Sequence, residues 1–131
     1  MRGVSRAEIE DHKTEFVREL ERSREEIDLA LLVIDAKAFG EICDRWESRG
    51  EIPIDIEMHD FLIDLGIEVL VVANKMDKVD LPDRVLDGIA DRLGYLPPWR
   101  QWRDTIKPVS AKTGTGISDL KREISERVGL A

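Results

Sequence analysis

The chain has 131 residues, of which 42% are hydrophobic and 37% are charged, and its formal net charge at pH 7 is −8. This length suits one globular domain and is too short for two domains with separate large cores. No apolar run reaches the roughly 18 residues of a membrane-spanning helix, and the single cysteine, Cys43, excludes an intramolecular disulfide. The negative charge argues against nonspecific binding to nucleic acid or anionic membranes. We therefore expect one soluble, cytoplasmic domain that makes no membrane contact.

The first half of the chain alternates between helical and strand patterns. Apolar residues at helical spacing predict an amphipathic helix over residues 5–26. The aliphatic run of residues 29–34, which begins at Leu29 and ends at Ile34, predicts a strand buried on both faces of a parallel sheet. Residues 36–53 predict a partly helical segment, and a further helix ends at Gly66, which suits a helix C-cap.

The second half repeats this alternation twice. Residues 67–73 predict a second aliphatic strand, and the next helix begins at Pro82 and ends at Gly94. Residues 96–102 are rich in proline and tryptophan and predict a loop packed against the last helix. Residues 105–109 predict a short third strand, which a final helix follows. The alternation predicts an α/β fold with three αβα layers, in which a parallel sheet of about three strands carries helices on both faces.

The most informative short motif follows the second predicted strand. Residues 74–77 read Asn-Lys-Met-Asp, and ligands of parallel α/β sheets bind at the carboxyl ends of the strands. The carboxylate of Asp77 only accepts hydrogen bonds, and the Watson–Crick edge of guanine offers two adjacent donors, N1–H and the exocyclic amino group. One aspartate can therefore hold guanine by two hydrogen bonds, whereas adenine offers no such pair. The alternative is an ordinary Asn/Asp turn with solvated lysines.

A second short motif follows the third predicted strand, where residues 110–112 read Ser-Ala-Lys. Alone it is weak, because a serine there is often only a turn residue. If the two strands are neighbours, however, the two motifs form one slot, in which the N–H of Ala111 would donate to the purine O6. The stems of Lys75 and Lys112 would pack against the base, and Asn74 would brace the two loops. The candidate guanine-binding residues are Asn74, Lys75, Asp77, Ser110, Ala111 and Lys112.

Other candidate residues fit structural roles better. Asp35 ends a predicted strand without a second acidic partner, and we interpret it as a structural terminator. His12 and His59 lie on separate predicted helices and have no partner for a catalytic triad. We therefore assign no catalytic residue and no metal ligand.

A family resemblance is carried by residues 31–35, 50–55, 74–77, 97–102 and 108–114. Their sequences are Leu-Leu-Val-Ile-Asp, Gly-Glu-Ile-Pro-Ile-Asp, Asn-Lys-Met-Asp, Pro-Pro-Trp-Arg-Gln-Trp and Pro-Val-Ser-Ala-Lys-Thr-Gly. Together they resemble the EngB branch of the TrmE–Era–EngA–EngB–Septin-like P-loop GTPases, especially its archaeal form, over essentially the whole chain. The resemblance implies binding of GTP or GDP, with Mg²⁺ in the family. It also implies a partner in the ribosome or its RNA, during large-subunit assembly, or a role in cell division.

The chain departs from this family in its phosphate-binding motifs. It has no Gly-x-x-x-x-Gly-Lys-Ser/Thr sequence, and no Asp-x-x-Gly sequence precedes residues 74–77. We therefore expect residues 1–131 to be a single partial G domain, an incomplete P-loop GTPase domain without the phosphate-binding loop and the switch regions. Such a chain should lack magnesium ligands, bind GTP or GDP weakly, with a dissociation constant of ~0.1–10 mM, and show no hydrolysis alone.

Two alternative functions stay open. The chain could be a nucleotide-independent interaction module, or half of a split GTPase that another polypeptide completes. The predicted strand over residues 29–34 would lie at an edge of the sheet and present unpaired backbone groups. Self-association through that edge, Leu29 to Ile34, is therefore expected.

Overall fold

The structure is a computed structural model that describes the backbone of residues 6–129 and the side chains of residues 14–129, so Ser5, the first residue of the first predicted helix, lies outside it. Among the described residues, no helix is both long enough and apolar enough to cross a bilayer. Short 3-10 turns lie at Arg24–Glu26, Met76–Lys78 and Trp99–Trp102. The main elements are α1 (Arg6–Ser23), β1 (Ala30–Asp35), α2 (Phe39–Glu47), α3 (Ile54–Asp64), β2 (Val69–Asn74), α4 (Pro82–Arg92), β3 (Ile106–Pro108) and α5 (Ile117–Val128).

The three strands form one parallel sheet in the order β1-β2-β3. The register places Asp35 of β1 opposite Asn74 of β2, and Ala73 opposite Pro108 of β3. Because the strands are parallel and end at the same level, the loops that follow them meet at one edge of the sheet. This architecture confirms the predicted α/β fold class.

The main hydrophobic core lies between one face of the sheet and the helices α2, α3 and α4. Alternate strand residues such as Ile34 and Val71 join one buried cluster with Phe39, Leu62 and Leu86 from the three helices. The only cysteine, Cys43 on α2, belongs to this cluster and is fully buried, and burial raises the pKa of its thiol. The helical spacing of apolar residues thus produces the cover that the sheet requires.

The opposite face of the sheet is covered by α5 and contains buried charge. The ammonium group of Lys107, on β3, donates to Asp119 Oδ2 at 2.9 Å and lies 3.3 Å from Glu123 Oε1, and its side chain is 5% exposed. The hydrogen bond from Lys107 lowers the pKa of Asp119. Burial alone would raise the pKa of Glu123, but hydrogen bonds from Arg127 and Lys107 lower it below its usual range. Ion pairs therefore attach α5 to the third strand.

The prediction that residues 29–34 are buried on both faces is wrong. Leu32 and Ile34 of β1 are buried in the main core, whereas Leu31 is 45% exposed and Val33 is 59% exposed. In the described structure α5 covers the face of β2 and β3 and leaves the same face of β1 open. A continuous aliphatic run predicts a strand, but it does not show which neighbours cover that strand.

The proline- and tryptophan-rich segment packs against α4 and not, as predicted, against the last helix. The indole Nε1 of Trp99 donates to Asp83 Oδ1 at 2.9 Å, and its backbone N–H donates to Asp87 Oδ1 at 2.8 Å. The two aspartates are four residues apart on α4, so both carboxylates lie on one side of that helix. These paired acceptors determine where the buried Trp99 side chain lies.

Candidate functional site

A pocket of about 450 Å³ lies at the carboxyl ends of the strands. Its walls come from the ends of β1 and β2 and from the loops after β2 and β3. Ser110 lies just behind the pocket and is buried. The pocket is lined by the predicted residues Asn74, Lys75, Asp77, Ala111 and Lys112, together with Asp35, Lys37 and Lys78.

One hydrogen bond joins the two loops through Asp77. The hydroxyl Oγ of Ser110 donates to Asp77 Oδ1 at 2.7 Å, and it also accepts from the backbone N–H of Thr113 at 3.2 Å. The bond from Ser110 is the main reason that the pKa of Asp77 lies below its usual range. Asp77 is therefore ionised at neutral pH and offers only acceptor oxygens to the pocket.

A second hydrogen bond joins the loops through Asn74. The side-chain Oδ1 of Asn74 accepts from the backbone N–H of Ala111 at 3.0 Å. The sequence predicted that this N–H would face a purine O6, but here it is already engaged by Asn74. The reason lies in the pairing of β2 with β3, which places the end of each strand within reach of the loop after the other.

Lys75 connects the pocket to the edge strand. It adopts a left-handed backbone conformation with φ of 67°, and its Nζ donates to Asp35 Oδ2 at 2.9 Å. The other oxygen of Asp35 accepts from the backbone N–H groups of Lys37 and Ala38, at 3.0 and 3.1 Å. Burial opposes ionisation of Asp35, yet these bonds hold its pKa below the usual range.

Asp35, Lys37 and Lys78 line the pocket although the sequence did not predict them as site residues, and Asp35 makes the most contacts of known geometry there. It was interpreted as a strand terminator, and its backbone role is indeed to accept hydrogen bonds from the turn that follows. The signal that could have identified it is positional. If the first and second strands are paired so that their ends align, the last residue of the first strand must lie beside Asn74.

The loop after β3 has a shape that depends on Gly116. A Cβ atom at this position would lie 2.3 Å from the carbonyl oxygen of Pro108, and the backbone φ of 77° is in the left-handed region. The backbone N–H of Ser110 donates to the carbonyl oxygen of Thr115 at 2.9 Å, which closes the loop. Glycine is therefore required at position 116, and the closed loop keeps Ser110 beside Asp77.

The described residues offer no fit for a catalytic metal ion. Among the side chains of residues 14–129, no three histidine, cysteine, aspartate or glutamate residues come together as metal ligands. His59 is buried, and its Nε2 lies 2.7 Å from the hydroxyl of Tyr95, which is a packing role. His12 lies outside the residues whose side chains are described.

Comparison with known proteins yields one consistent family. A profile described as the elongation factor Tu GTP binding domain matches residues 12–128. A probable GTP-binding protein EngB from Methanopyrus kandleri is 48% identical over 100% of the chain, and one from Methanosarcina mazei is 45% identical over 98% of it. A crystal structure of a probable GTP-binding protein engB aligns with a TM-score of 0.88 at 38% identity, covering 100% of this chain and 72% of that one. The chain spans 65% and 62% of the length of the two curated relatives.

Proposed function

Because the chain belongs to the archaeal EngB-type family of GTP-binding proteins, we propose that its pocket binds the guanine base of GTP or GDP. One observation carries this proposal. Two hydrogen bonds within the protein, from Ser110 to Asp77 and from Ala111 to Asn74, hold the two loops together. A site of this kind needs little rearrangement on binding, so less affinity is lost to ordering the loops.

Asp77 would recognise the Watson–Crick edge of guanine. Its ionised carboxylate accepts one bond from Ser110, and the remaining lone pairs can accept N1–H and the exocyclic amino group of guanine. Adenine presents an unprotonated N1 to the same carboxylate and would leave acceptors unpaired. Each buried polar group without a partner costs about 1–3 kcal/mol, which is enough to reject adenine by one to two orders of magnitude.

The purine O6 requires a donor from the other loop. The nearest backbone donor of the second motif, the N–H of Ala111, is bound to Asn74 Oδ1 at 3.0 Å. We propose that the purine O6 shares this N–H with Asn74 Oδ1 in a three-centre bond, so that the bond between the two loops is kept. Lys75 and Lys112, which line the pocket, would pack their aliphatic stems against the base.

The phosphates of the nucleotide should contribute little to its affinity for this chain. The chain has no Gly-x-x-x-x-Gly-Lys-Ser/Thr loop, and most of the affinity of such proteins for nucleotides comes from phosphate and metal contacts. We therefore propose dissociation constants of ~0.1–10 mM for GTP and GDP and no hydrolysis by this chain alone. The ribosomal or cell-division role implied by the family is proposed for the whole family protein, of which this chain spans 65% or less in the curated relatives named above.

Titration with GDP and ADP, followed by calorimetry or NMR at millimolar ligand, tests base recognition. We expect GDP to bind about tenfold or more tightly than ADP. Asp77→Ala should remove the difference between the two nucleotides. Asp77→Asn is a sharper variant, because its amide can donate to the carbonyl O2 of xanthine and should shift the preference from GDP to xanthosine diphosphate. Asp80→Asn is the matched control, since Asp80 is exposed and does not line this pocket.

Equal affinity for GDP and ADP, or no binding of GDP at millimolar concentration, would contradict the proposed recognition of guanine. Hydrolysis is tested separately by phosphate release from GTP. We expect a rate equal to that of buffer, and phosphate release that disappears in Asp77→Ala would overturn the expectation.

A second proposal is self-association through the edge strand. Its support is the exposure of two large aliphatic side chains, Leu31 at 45% and Val33 at 59%, on a strand that pairs with β2 alone in the described sheet. An exposed aliphatic edge strand is a template for pairing with another chain. This activity needs no nucleotide, so loss of GDP binding in Asp77→Ala would leave it unchanged.

A further inference from the structure

A second cavity lies on the helical side of the molecule, away from the guanine pocket. Its volume is about 650 Å³, and no residue lines both cavities. It is bounded by the end of α2, the start of α3 and the middle and end of α4. We call this cavity the acidic groove and define it by Glu47, Ile52, Ile56, Gly88, Asp91 and Arg92.

Gly88 is the first unexplained feature of the acidic groove. It lies in the middle of α4, where glycine weakens a helix relative to alanine. Its φ is not positive, and a Cβ atom added there would meet no atom within 4 Å. Neither backbone conformation nor packing within the described chain therefore requires glycine. What glycine provides is a helix surface without a side chain, which another polypeptide could approach closely.

Two isoleucines line the acidic groove. Ile52 is 60% exposed, one of the most exposed large hydrophobic side chains described. Ile56 is half-buried and packs against the main core. Both isoleucines line the cavity together with Gly88, and exposed apolar side chains among polar ones are typical of a binding surface.

The rim of the acidic groove is negative. Glu47 and Asp91 line it, and the cation among the lining residues is Arg92. The charge of Arg92 is already compensated, because its guanidinium donates to Asp44 Oδ1 at 2.6 Å and to Glu47 Oε1 at 2.5 Å. Asp44, Glu47 and Asp91 together outweigh the single charge of Arg92, so the groove favours an occupant with positive charge over a nucleic acid.

We propose that the acidic groove binds a basic segment of a partner polypeptide. Its backbone would lie along Gly88, one apolar side chain would cover Ile52 and Ile56, and a lysine or arginine side chain would reach Asp91. This interaction is independent of the guanine pocket, so a partner and a nucleotide can be bound together.

A labelled synthetic peptide of lysine and leucine is the probe that tests the proposal, by fluorescence anisotropy at low salt against the full chain. Gly88→Leu fills the groove and should weaken binding by about tenfold or more, while the melting temperature does not fall because leucine favours a helix. Gly88→Ala is the matched control, since its single methyl group enters open space and should change binding by less than about threefold. Asp91→Lys reverses one rim charge and should weaken binding and reduce its salt dependence.

The proposal is overturned if Gly88→Leu binds the peptide as tightly as the unchanged chain. Equal binding of a glutamate and leucine peptide of the same length would also overturn it, because charge would then play no part. A single-stranded RNA oligonucleotide that competes with the peptide for this groove is a third contrary outcome. GDP titration of Gly88→Leu serves as the folding control and should match that of the unchanged chain.

Discussion

The strands β1 and β2 pair identical residues at two positions and bury their side chains differently. The register places Leu31 opposite Leu70 and Val33 opposite Val72, and all four side chains lie on the α5 face of the sheet. Leu70 is fully buried and Val72 is 4% exposed, whereas Leu31 is 45% and Val33 is 59% exposed. The same residue type, in the same strand conformation, is core in one strand and surface in its neighbour.

This difference shows that the exposure of a strand side chain depends on which elements pack over it and not on its residue type. The helix α5 lies over β2 and β3, to which Lys107 attaches it through Asp119 and Glu123. The face of β1 beyond it has no cover in the described structure. Four substitutions can test whether this contrast also holds in solution.

The largest expected effect comes from truncating the two paired leucines. Leu70→Ala should lower the free energy of unfolding by about 2–5 kcal/mol, because it leaves a cavity under α5. Leu31→Ala removes a side chain that is already half in water and should cost less than about 1 kcal/mol. Urea denaturation of the two variants measures both values. Similar losses at the two positions would mean that something covers β1 in solution.

The next effect concerns the ion pairs that attach α5. Lys107→Met keeps an unbranched apolar side chain close to the length of the lysine stem and removes the buried charge opposite Asp119 and Glu123. We expect a loss of ~1–3 kcal/mol in the free energy of unfolding, because Glu123 keeps Arg127 as a partner. An unchanged stability would show that packing alone holds α5 on β2, and the contrast between the strands would then have another cause.

The same variant should change the acid sensitivity of the fold. Asp119 and Glu123 have folded-state pKa values below their ordinary values of 3.8 and 4.5. Carboxylates of this kind stabilise the fold above the unfolded-state pKa, and this contribution is lost as the pH falls through the lower folded-state pKa. The unchanged chain should therefore lose stability as the pH falls below about 4.5. Lys107→Met should show a shallower loss over the same range when its unfolding is measured by circular dichroism.

The smallest effect on stability is expected at the exposed valine. Val33→Lys places a charge on the open face of β1 and should change the free energy of unfolding by less than about 0.5 kcal/mol. It should, however, reduce self-association, because a charged edge strand resists pairing with another chain. Sedimentation velocity over a range of protein concentrations measures this. If the unchanged chain is monomeric at every concentration measured, the proposed self-association is wrong.

Much of the fold could be predicted because short-range patterns determine it. Continuous aliphatic runs identified β1 and β2, and proline and glycine at helix ends located α4. The cover of each strand could not be predicted, because it depends on which helix reaches it across the sheet. Lys107 shows the same limit, since a lysine in a three-residue strand gives no local sign that two carboxylates of α5 surround it.

In the candidate site, too, some features could be predicted from the sequence and others could not. The residues of the two loops could be predicted from their motifs. Each motif directly follows a strand, and the two strands are neighbours in the sheet. Their hydrogen-bond partners could not be read from the motifs. The N–H of Ala111 is engaged by Asn74, and Asp35 holds Lys75, and both contacts depend on the register between strands.

Cys43 gives the protein an internal probe of its own local opening. It is the only cysteine in the chain, and it is fully buried in the main core on α2, which packs against α4. A thiol reacts through its thiolate and only in contact with the reagent, so modification requires α2 to separate from the core first. The rate of labelling therefore reports how often that helix opens, on timescales that equilibrium unfolding does not resolve. Partner binding at the neighbouring end of α2 would slow this rate, and no cysteine would have to be introduced to observe it.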